Sequence, residues 1–251
     1  MTPMIVSHEH KFIFLKTMKT AGTSIEAALV QVCGPDDIIT PYREASEKDR
    51  QGRGPQNYRL QHPLVPKPPL WRRVTGRPER YYHPTVGFFE HMPAWRARVY
   101  LGEQIWRSYF KFAFERNPWD RQISWYFYKT KTKLLKPNFD RFMNSRKQAY
   151  VWNFEIYGDK SEIAVDYVGR YERLEEDLSS VLKHIGVNET IDVPHTNRTR
   201  TRDHATSYQT FYTPRTQELV AEWYAREINA LGYTFEGMVG PGGLEPPTRR
   251  L

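Results

Sequence analysis

The stretch "KFIFLKTMKTAGTSIEAALVQV", residues 11–32, decides the fold. Phe12, Ile13, Phe14 and Leu15 form a short apolar run, read as a buried strand over 11–15. Ile25, Ala28, Leu29 and Val32 then recur at i, i+3, i+4 and i+7, the stripe of an amphipathic helix, and Gly34-Pro35 stops it. The nine residues between, "KTMKTAGTS" at 16–24, have the position and the Gly/Thr/Ser content of a phosphate-binding loop. Successive amides in such a turn make a concave anion nest, reinforced by the helix N-terminus. Gly22 allows close backbone approach, Thr20, Thr23 and Ser24 add hydroxyls, and Lys19 supplies a point charge. The loop lacks the Gly-Lys-Ser/Thr ending of a nucleoside-triphosphate loop, and its lysine lies on the strand side of the glycine. With no metal-binding Asp at a strand end, the expectation is a metal-free phosphate cradle. The plainer alternative is a glycine-containing turn capped by Ser and Thr.

Working outward, "YFKFAFE" (109–115) reads as a second core strand and "FERNPWDRQISWY" (114–126) as its exit into a helix. Asn117 is a favoured N-cap and Pro118 a favoured first helical residue. Arg116 stands at the strand end, offering a planar fork for phosphate, and Ser124 adds a hydroxyl two turns on. Arg121 shares a helical face with Ser124 at i and i+3, so this element can hold a second phosphate. A capped helix with a salt-bridging arginine is the bland reading of the same residues.

The rest of the chain supplies context. Residues 41–84, rich in Pro, Arg, Gln and Tyr, read as an irregular insertion, either a flap over a site or a solvated basic loop. "HMPAWRARVYLG" (91–102) reads as a short helix and 164–172 as a third strand. Leu174, Leu178, Val181, Leu182 and Ile185 make a helical stripe closed by Gly186, and Thr213-Pro214 starts a last helix ended by Gly232. Residues 237–251 read as a disordered tail, leaving one domain over 1–236. Strands alternating with helices imply an α/β fold of three layers, a central, mostly parallel sheet flanked by helices.

Of the 251 residues 39% are hydrophobic and 14% aromatic, enough for one sizeable core. The net charge of +8 favours an anionic partner, and the lone Cys33 excludes an internal disulfide. No run approaches the length of a membrane span and the N-terminus lacks a signal-peptide pattern, so a cytoplasmic protein is the default.

Together, "KTAGTS" (19–24) and "RNPWDRQIS" (116–124) resemble, in order and in context, the motifs of the PAPS-dependent sulfotransferases, in particular the carbohydrate (family 2-like) branch. The likeness extends weakly over 88–94, 168–178 and 219–235. It implies the P-loop-type fold and a nucleotide sulfate donor, 3′-phosphoadenosine 5′-phosphosulfate (PAPS). Lys19, Thr20, Ala21, Gly22, Thr23 and Ser24 would bind the 5′-phosphosulfate, and Arg116 and Ser124 the 3′-phosphate. It further implies transfer to an acceptor hydroxyl, on a glycan that an acidic character would suit, with no nucleic acid and no metal. Lys19 would meet charge on the departing phosphate, and His91 in "FEHMPA" is the candidate base, with Glu90 beside it to be tested. The other histidines read as surface or structural groups. Arg198, Arg200 or Arg202 would touch the 3′-phosphate or an acidic acceptor, the choice among them being open. Trp119 and Trp125 are read as adenine-stacking or as core residues. The competing readings are a P-loop kinase-like phosphotransferase, which would need Mg²⁺, and a non-enzymatic basic binder of nucleic acid or polysaccharide, which would release steeply with salt.

Overall fold

The computed structural model describes residues 4–41, 53–66, 87–187 and 207–238. The chain opens with an antiparallel pair, β1 (Ile5–Ser7) and β2 (Phe12–Phe14). Helix α1 (Gly22–Leu29) follows, then a 3₁₀ turn over Val30–Val32 and β3 (Ile38–Ile39). Helices α2 (Ala94–Leu101) and α3 (Glu103–Ser108) lead into β4 (Phe110–Glu115) and α4 (Pro118–Thr130). Short helices α5 (Phe139–Met143), α6 (Arg146–Ala149) and α7 (Phe154–Tyr157) and a small hairpin of β5 (Gly158–Asp159) with β6 (Glu162–Ile163) precede β7 (Tyr167–Arg170). The chain continues through α8 (Leu174–His184), α9 (Pro214–Trp223), α10 (Ala225–Leu231) and a second hairpin, β8 (Tyr233–Thr234) with β9 (Gly237–Met238).

The central sheet has the order β3-β1-β2-β4-β7. β2, β4 and β7 are mutually parallel, with Phe12 opposite Phe110 and Phe112 opposite Tyr167. β1 is antiparallel to both β2 and β3, so β1 alone runs against the other four strands. The mostly parallel sheet expected from sequence is therefore present, with a hairpin strand, Ile5–Ser7, that the sequence reading did not place.

Strand alternation divides the core in two. Phe12, Phe14, Phe112 and Phe114 face α1 and α8, packing on Ile25, Leu29, Leu178 and Val181. Ile13, Leu15 and Ala113 belong to the opposite core, with Trp119, Ile123, Tyr224 and Leu231. Helices thus cover both faces, which is why the strands read as unbroken apolar runs. At Gly169 an added Cβ would meet the Phe114 ring at 2.4 Å, so only glycine lets β7 lie against that phenylalanine.

Several boundaries differ from the sequence reading. The stripe at 219–231 is two helices, broken at Tyr224, whose backbone (φ −118°, ψ 24°) leaves the helical region while its hydroxyl accepts from the Val151 amide. The supposed tail pairs Gly237 and Met238 with β8. Within the 41–84 insertion, residues 53–66 are tied down: Gln56 bridges Ile39, and its side-chain amide donates to the carbonyls of Gly34, Pro35 and Asp37. The flap reading for the remainder lies outside the described residues.

Candidate active site at the ends of the parallel strands

β2 and β4 end side by side, so the loop after β2 and the Arg116 segment after β4 meet at one edge, where α/β sheets bind ligands. Met18 fixes the loop: its amide donates to Asn153 Oδ1 at 2.8 Å and its carbonyl accepts from Asn153 Nδ2 at 3.0 Å. The same Nδ2 donates to Glu115 Oε1 at 3.1 Å, joining the loop to the end of β4. Thr17 adds a hydroxyl bond to the Phe114 carbonyl. Beyond these anchors the backbone turns sharply. Lys19 (φ 66°) and Ala21 (φ 56°) are left-handed, as is His91 (φ 53°) across the loop. Half of the six non-glycine residues with positive φ among the described residues therefore sit at this place, a clustering usual for functional sites.

The turn delivers the start of α1 without a side-chain cap. The Ala21 carbonyl takes the amides of Ser24 and Ile25, while those of Gly22 and Thr23 have no hydrogen-bond partner among the described residues. These two amides, at the positive end of the helix, are donors for an anion.

The loop's two lysines part company. Lys16, 2% exposed, runs beneath the helix start to Glu26 Oε2 at 3.1 Å. An added Cβ at Gly22 would meet Lys16 Cε at 2.2 Å, so the glycine makes room for the buried lysine as well as for any ligand. Lys19 takes the other direction, its Nζ 4.8 Å from the centre of the Tyr128 ring, which Lys131 approaches to 5.2 Å. Burial, then the charges of Arg116 and Lys131, push the Lys19 ammonium down to about 8.

Arg116 is 7% exposed, with its guanidinium stacked 4.0 Å over Tyr171. Nε donates to Asp120 Oδ2 at 2.7 Å, Nη2 lies 2.5 Å from the same oxygen, and Nη1 donates to the Lys19 carbonyl at 3.4 Å. Of its five N–H donors, the two at the outer end of the fork remain for a ligand. The Ser124 hydroxyl has no partner among the described residues, and Ser124 and Tyr128 follow one another on a single face of α4, with Lys131 at its C-cap.

Arg121 does not share that role. It is fully buried, 2.7 Å from Glu115 and 3.3 Å from Glu227, with Tyr224 stacked on it at 4.4 Å. Burial works against its charge, but the two carboxylates outweigh it and hold the guanidinium protonated. A phosphate cannot reach this arginine; its i, i+3 relation to Ser124 is overridden by the core. Trp119 is likewise core, its indole N–H on the Gln217 carbonyl, and Trp125 donates to the Gln148 carbonyl while stacking on Tyr128. The Thr20 hydroxyl is engaged by Thr17 Oγ1 at 2.8 Å, so it braces the loop.

His91 does come to the loop. Its Nδ1 lies 2.8 Å from the Lys16 carbonyl, and since a carbonyl only accepts, Nδ1 carries the proton in this assignment. Nε2 lies 3.1 Å from Glu90 Oε1, with the imidazole 14% exposed and the carboxylate 4%. Trp152, next to the loop-pinning Asn153, meets the ring edge-on at 6.4 Å. Of the other histidines, His8 bonds Tyr109 and His184 packs on Phe110. Arg198, Arg200 and Arg202 lie outside the described residues.

A sulfotransferase family model matches residues 2–234, nearly the whole chain. The chain belongs to the sulfotransferase family. It is therefore an enzyme of sulfuryl transfer. An uncharacterised protein of Archaeoglobus fulgidus is 40% identical over 106 residues, 41% of this chain and 88% of that one. Among solved structures, a mouse sulfotransferase complexed with PAP aligns over 89% of this sulfotransferase and 86% of its own chain, at 11% identity and a TM-score of 0.46. A sulfotransferase from Alicyclobacillus acidocaldarius aligns over 87% and 94%, at 16% identity and 0.41.

The residues missed from sequence are Asn153, Tyr128, Lys131 and Tyr171. Tyr128 and Lys131 carried a signal, lying four and seven positions beyond Ser124, on α4 and at its C-cap. Asn153 carried none, because its partner Met18 is 135 positions away. Among the described residues, no group of three or more His, Cys, Asp or Glu side chains is placed to hold a metal ion, and no helix is long and apolar enough to cross a membrane.

Proposed function

We propose that this sulfotransferase uses PAPS as its donor and a carbohydrate hydroxyl as its acceptor. The observation that carries the donor reading is the meeting of Lys19 and Arg116 at the ends of β2 and β4, beside the open amides of Gly22 and Thr23, with burial and the charges of Arg116 and Lys131 pushing the Lys19 ammonium down. A bound polyanion offsets both the burial cost and the mutual repulsion of these cations. PAPS, with phosphates on both the 5′ and 3′ positions, offers two groups for the two halves of the site. Lys19, the amides of Gly22 and Thr23, and Ser24 would take the 5′-phosphosulfate, with Thr20 and Ala21 shaping the turn. The outer end of Arg116 and the Ser124 hydroxyl would take the 3′-phosphate. The 3.4 Å contact between Arg116 and the Lys19 carbonyl supports one molecule spanning both. The reading needs no metal ion.

In the reaction the acceptor oxygen attacks sulfur as the bond from sulfur to the 5′-phosphate oxygen breaks. Lys19 and the free loop amides stabilise the charge that develops on that leaving oxygen. We assign the acceptor's proton to His91 Nε2. The Lys16 carbonyl fixes the ring through Nδ1, and Glu90 steadies the imidazolium that results. Transfer to a glycan, acidic ones included, is supported by the +8 charge and by the resemblance to the carbohydrate branch.

The test is calorimetric titration with adenosine 3′,5′-bisphosphate against ATP with Mg²⁺, followed by a labelled-sulfate transfer screen over glycans. The bisphosphate should bind without metal, and Lys19→Ala and Arg116→Ala should each weaken it at least tenfold. His91→Ala should keep the binding and lose transfer, and unchanged turnover in that variant would remove His91 as the base. Preference for ATP with Mg²⁺ would return the chain's donor site to the phosphotransferase reading.

A further inference from the structure

The loop between α4 and α5 stands apart from the other exposed segments among the described residues. Its sequence, "KTKTKLLKPN" (129–138), puts Lys129, Lys131, Lys133 and Lys136 around two leucines, and no Asp or Glu occurs between Asp120 and Asp140. Leu134 is 99% exposed and Leu135 88%, the two most exposed large hydrophobic residues among those described. The base of the loop is firmly held. Thr130 is buried and bonds the Tyr126 carbonyl at 2.8 Å, the Lys133 amide donates to the Thr130 carbonyl, and the Tyr126 hydroxyl donates to the Pro137 carbonyl at 2.7 Å. Asn138 then caps α5, and Phe139 is buried against Tyr126 and Tyr212. A pinned base holds out a tip whose apolar side chains serve no core.

Single exposed leucines are ordinary, but two adjacent ones at a tip ringed by four lysines without a counter-charge are not explained by folding. We propose that this tip docks the protein on an anionic lipid bilayer, with Leu134 and Leu135 entering the acyl boundary and the lysines on the headgroups. Charge complementarity selects the occupant: a bilayer offers anionic charge and an apolar layer within a few ångströms of each other. Adjacent leucines diverge from a loop, which a fluid hydrocarbon accepts in any direction, whereas a protein partner would need two separate pockets. Each lysine near the surface contributes about fivefold in affinity and each inserted leucine about tenfold. The loop leaves α4 at Lys131, beside Lys19 on the Tyr128 ring, so docking holds the site's mouth at the bilayer. Resting on the transfer reading above, this selects acceptor hydroxyls carried at a membrane surface.

Co-sedimentation of the full chain with vesicles tests docking without donor or transfer, so it stands or falls apart from the activity. Phosphatidylcholine–phosphatidylglycerol vesicles at a two-to-one ratio should bind the protein, and pure phosphatidylcholine should not. The pair Leu134→Ser/Leu135→Ser and the pair Lys133→Glu/Lys136→Glu should each reduce binding more than tenfold, with melting temperature unchanged. Cys33 is buried and its thiol is pushed up, burial first and Asp37 next, so a polarity-sensitive dye can be placed selectively on Leu135→Cys. Its emission should shift to the blue on the anionic vesicles. Overturning results are no binding, binding indifferent to the leucine pair, or a dye that stays in water. A leucine variant that turns a dimer into a monomer in sedimentation velocity would also overturn it, assigning the tip to a second copy of the chain.

Discussion

Two sets of basic residues lie within a few turns of each other, and their surroundings are opposite. Beneath the loop, Lys16 meets Glu26, and in the core Arg121 meets Glu115 and Glu227. At the mouth, Lys19 and Lys131 have no carboxylate partner among the described residues, and Arg116 keeps the outer end of its fork unused while Asp120 holds the inner one. The motif spacing gives no reason to separate Lys16 from Lys19 or Arg116 from Arg121. Their partners do. Charges that are neutralised inside the protein hold it together, and the charges left to repel one another at the mouth are the ones the proposed function assigns to a ligand.

Substitution should separate the two sets. The largest effect is expected for Arg121→Met, which leaves Glu115 and Glu227 buried without their cation and should cost about 3–5 kcal/mol by urea unfolding. Arg116→Ala, at the end of β4, gives up a partly exposed pair with Asp120 and should cost clearly less than Arg121→Met while losing the bisphosphate. Equal destabilisation by the two would erase the distinction drawn here.

Asn153→Ala comes next. It strips the Met18 amide and carbonyl of their partners, at a cost of about 2–3 kcal/mol, and it should also weaken bisphosphate binding by loosening the loop. A stability loss with undiminished binding would show that the loop keeps its shape without the clamp.

Lys19→Met should act in the reverse sense. The Lys19 ammonium binds its proton less tightly folded (about 8) than unfolded (10.5), so it lowers stability below pH 8, and that penalty fades as pH rises toward 10.5. The ligand-free variant should therefore melt about 2–5 °C higher than wild type at pH 7, with the gap closing above pH 9, while losing the nucleotide. A variant that melts lower at pH 7 would mean that Lys19 has a structural partner after all.

The smallest effect concerns Glu227. Burial raises its carboxyl to about 7, with Arg121 acting in the opposite direction and Glu115 with it. The folded state then binds the extra proton between pH 4.5 and 7, so stability from this group falls as pH rises through that window. Glu227→Gln should flatten the wild-type stability slope there by about 1 kcal/mol per pH unit. An unchanged slope would place the titration elsewhere.

The elements that position the site were legible where a local signal exists. The run 11–32 gave β2, the loop and α1, and Asn117-Pro118 gave the start of α4, because caps and periodicity act within a few residues. β1 and β3 escaped because two or three residues show no period, and the break at Tyr224 escaped because a long-range hydroxyl bond, not propensity, sets it. At the site, Arg116 meets the Lys19 carbonyl and His91, named from the family resemblance, meets the Lys16 carbonyl, contacts between segments 97 and 75 positions apart that no local signal records. Arg121 was misread because helical periodicity names a face without saying whether that face looks to solvent or core. The second purpose of Gly22 was invisible for a related reason: the buried course of Lys16 depends on Glu26 across the loop.

The central claim, that the mouth's unpaired cations await one doubly phosphorylated nucleotide, is tested most directly by proton uptake on binding. Calorimetric titration of adenosine 3′,5′-bisphosphate at pH 8, repeated in buffers of different ionisation heat, reads it. Both phosphates are fully ionised at that pH, so a proton taken up belongs to the protein. The account predicts an uptake of about half a proton per nucleotide in the wild type, from Lys19 regaining its charge, and none in a lysine-to-arginine variant at that position, Lys19→Arg. Binding without proton uptake, or the same uptake in the variant, would contradict it.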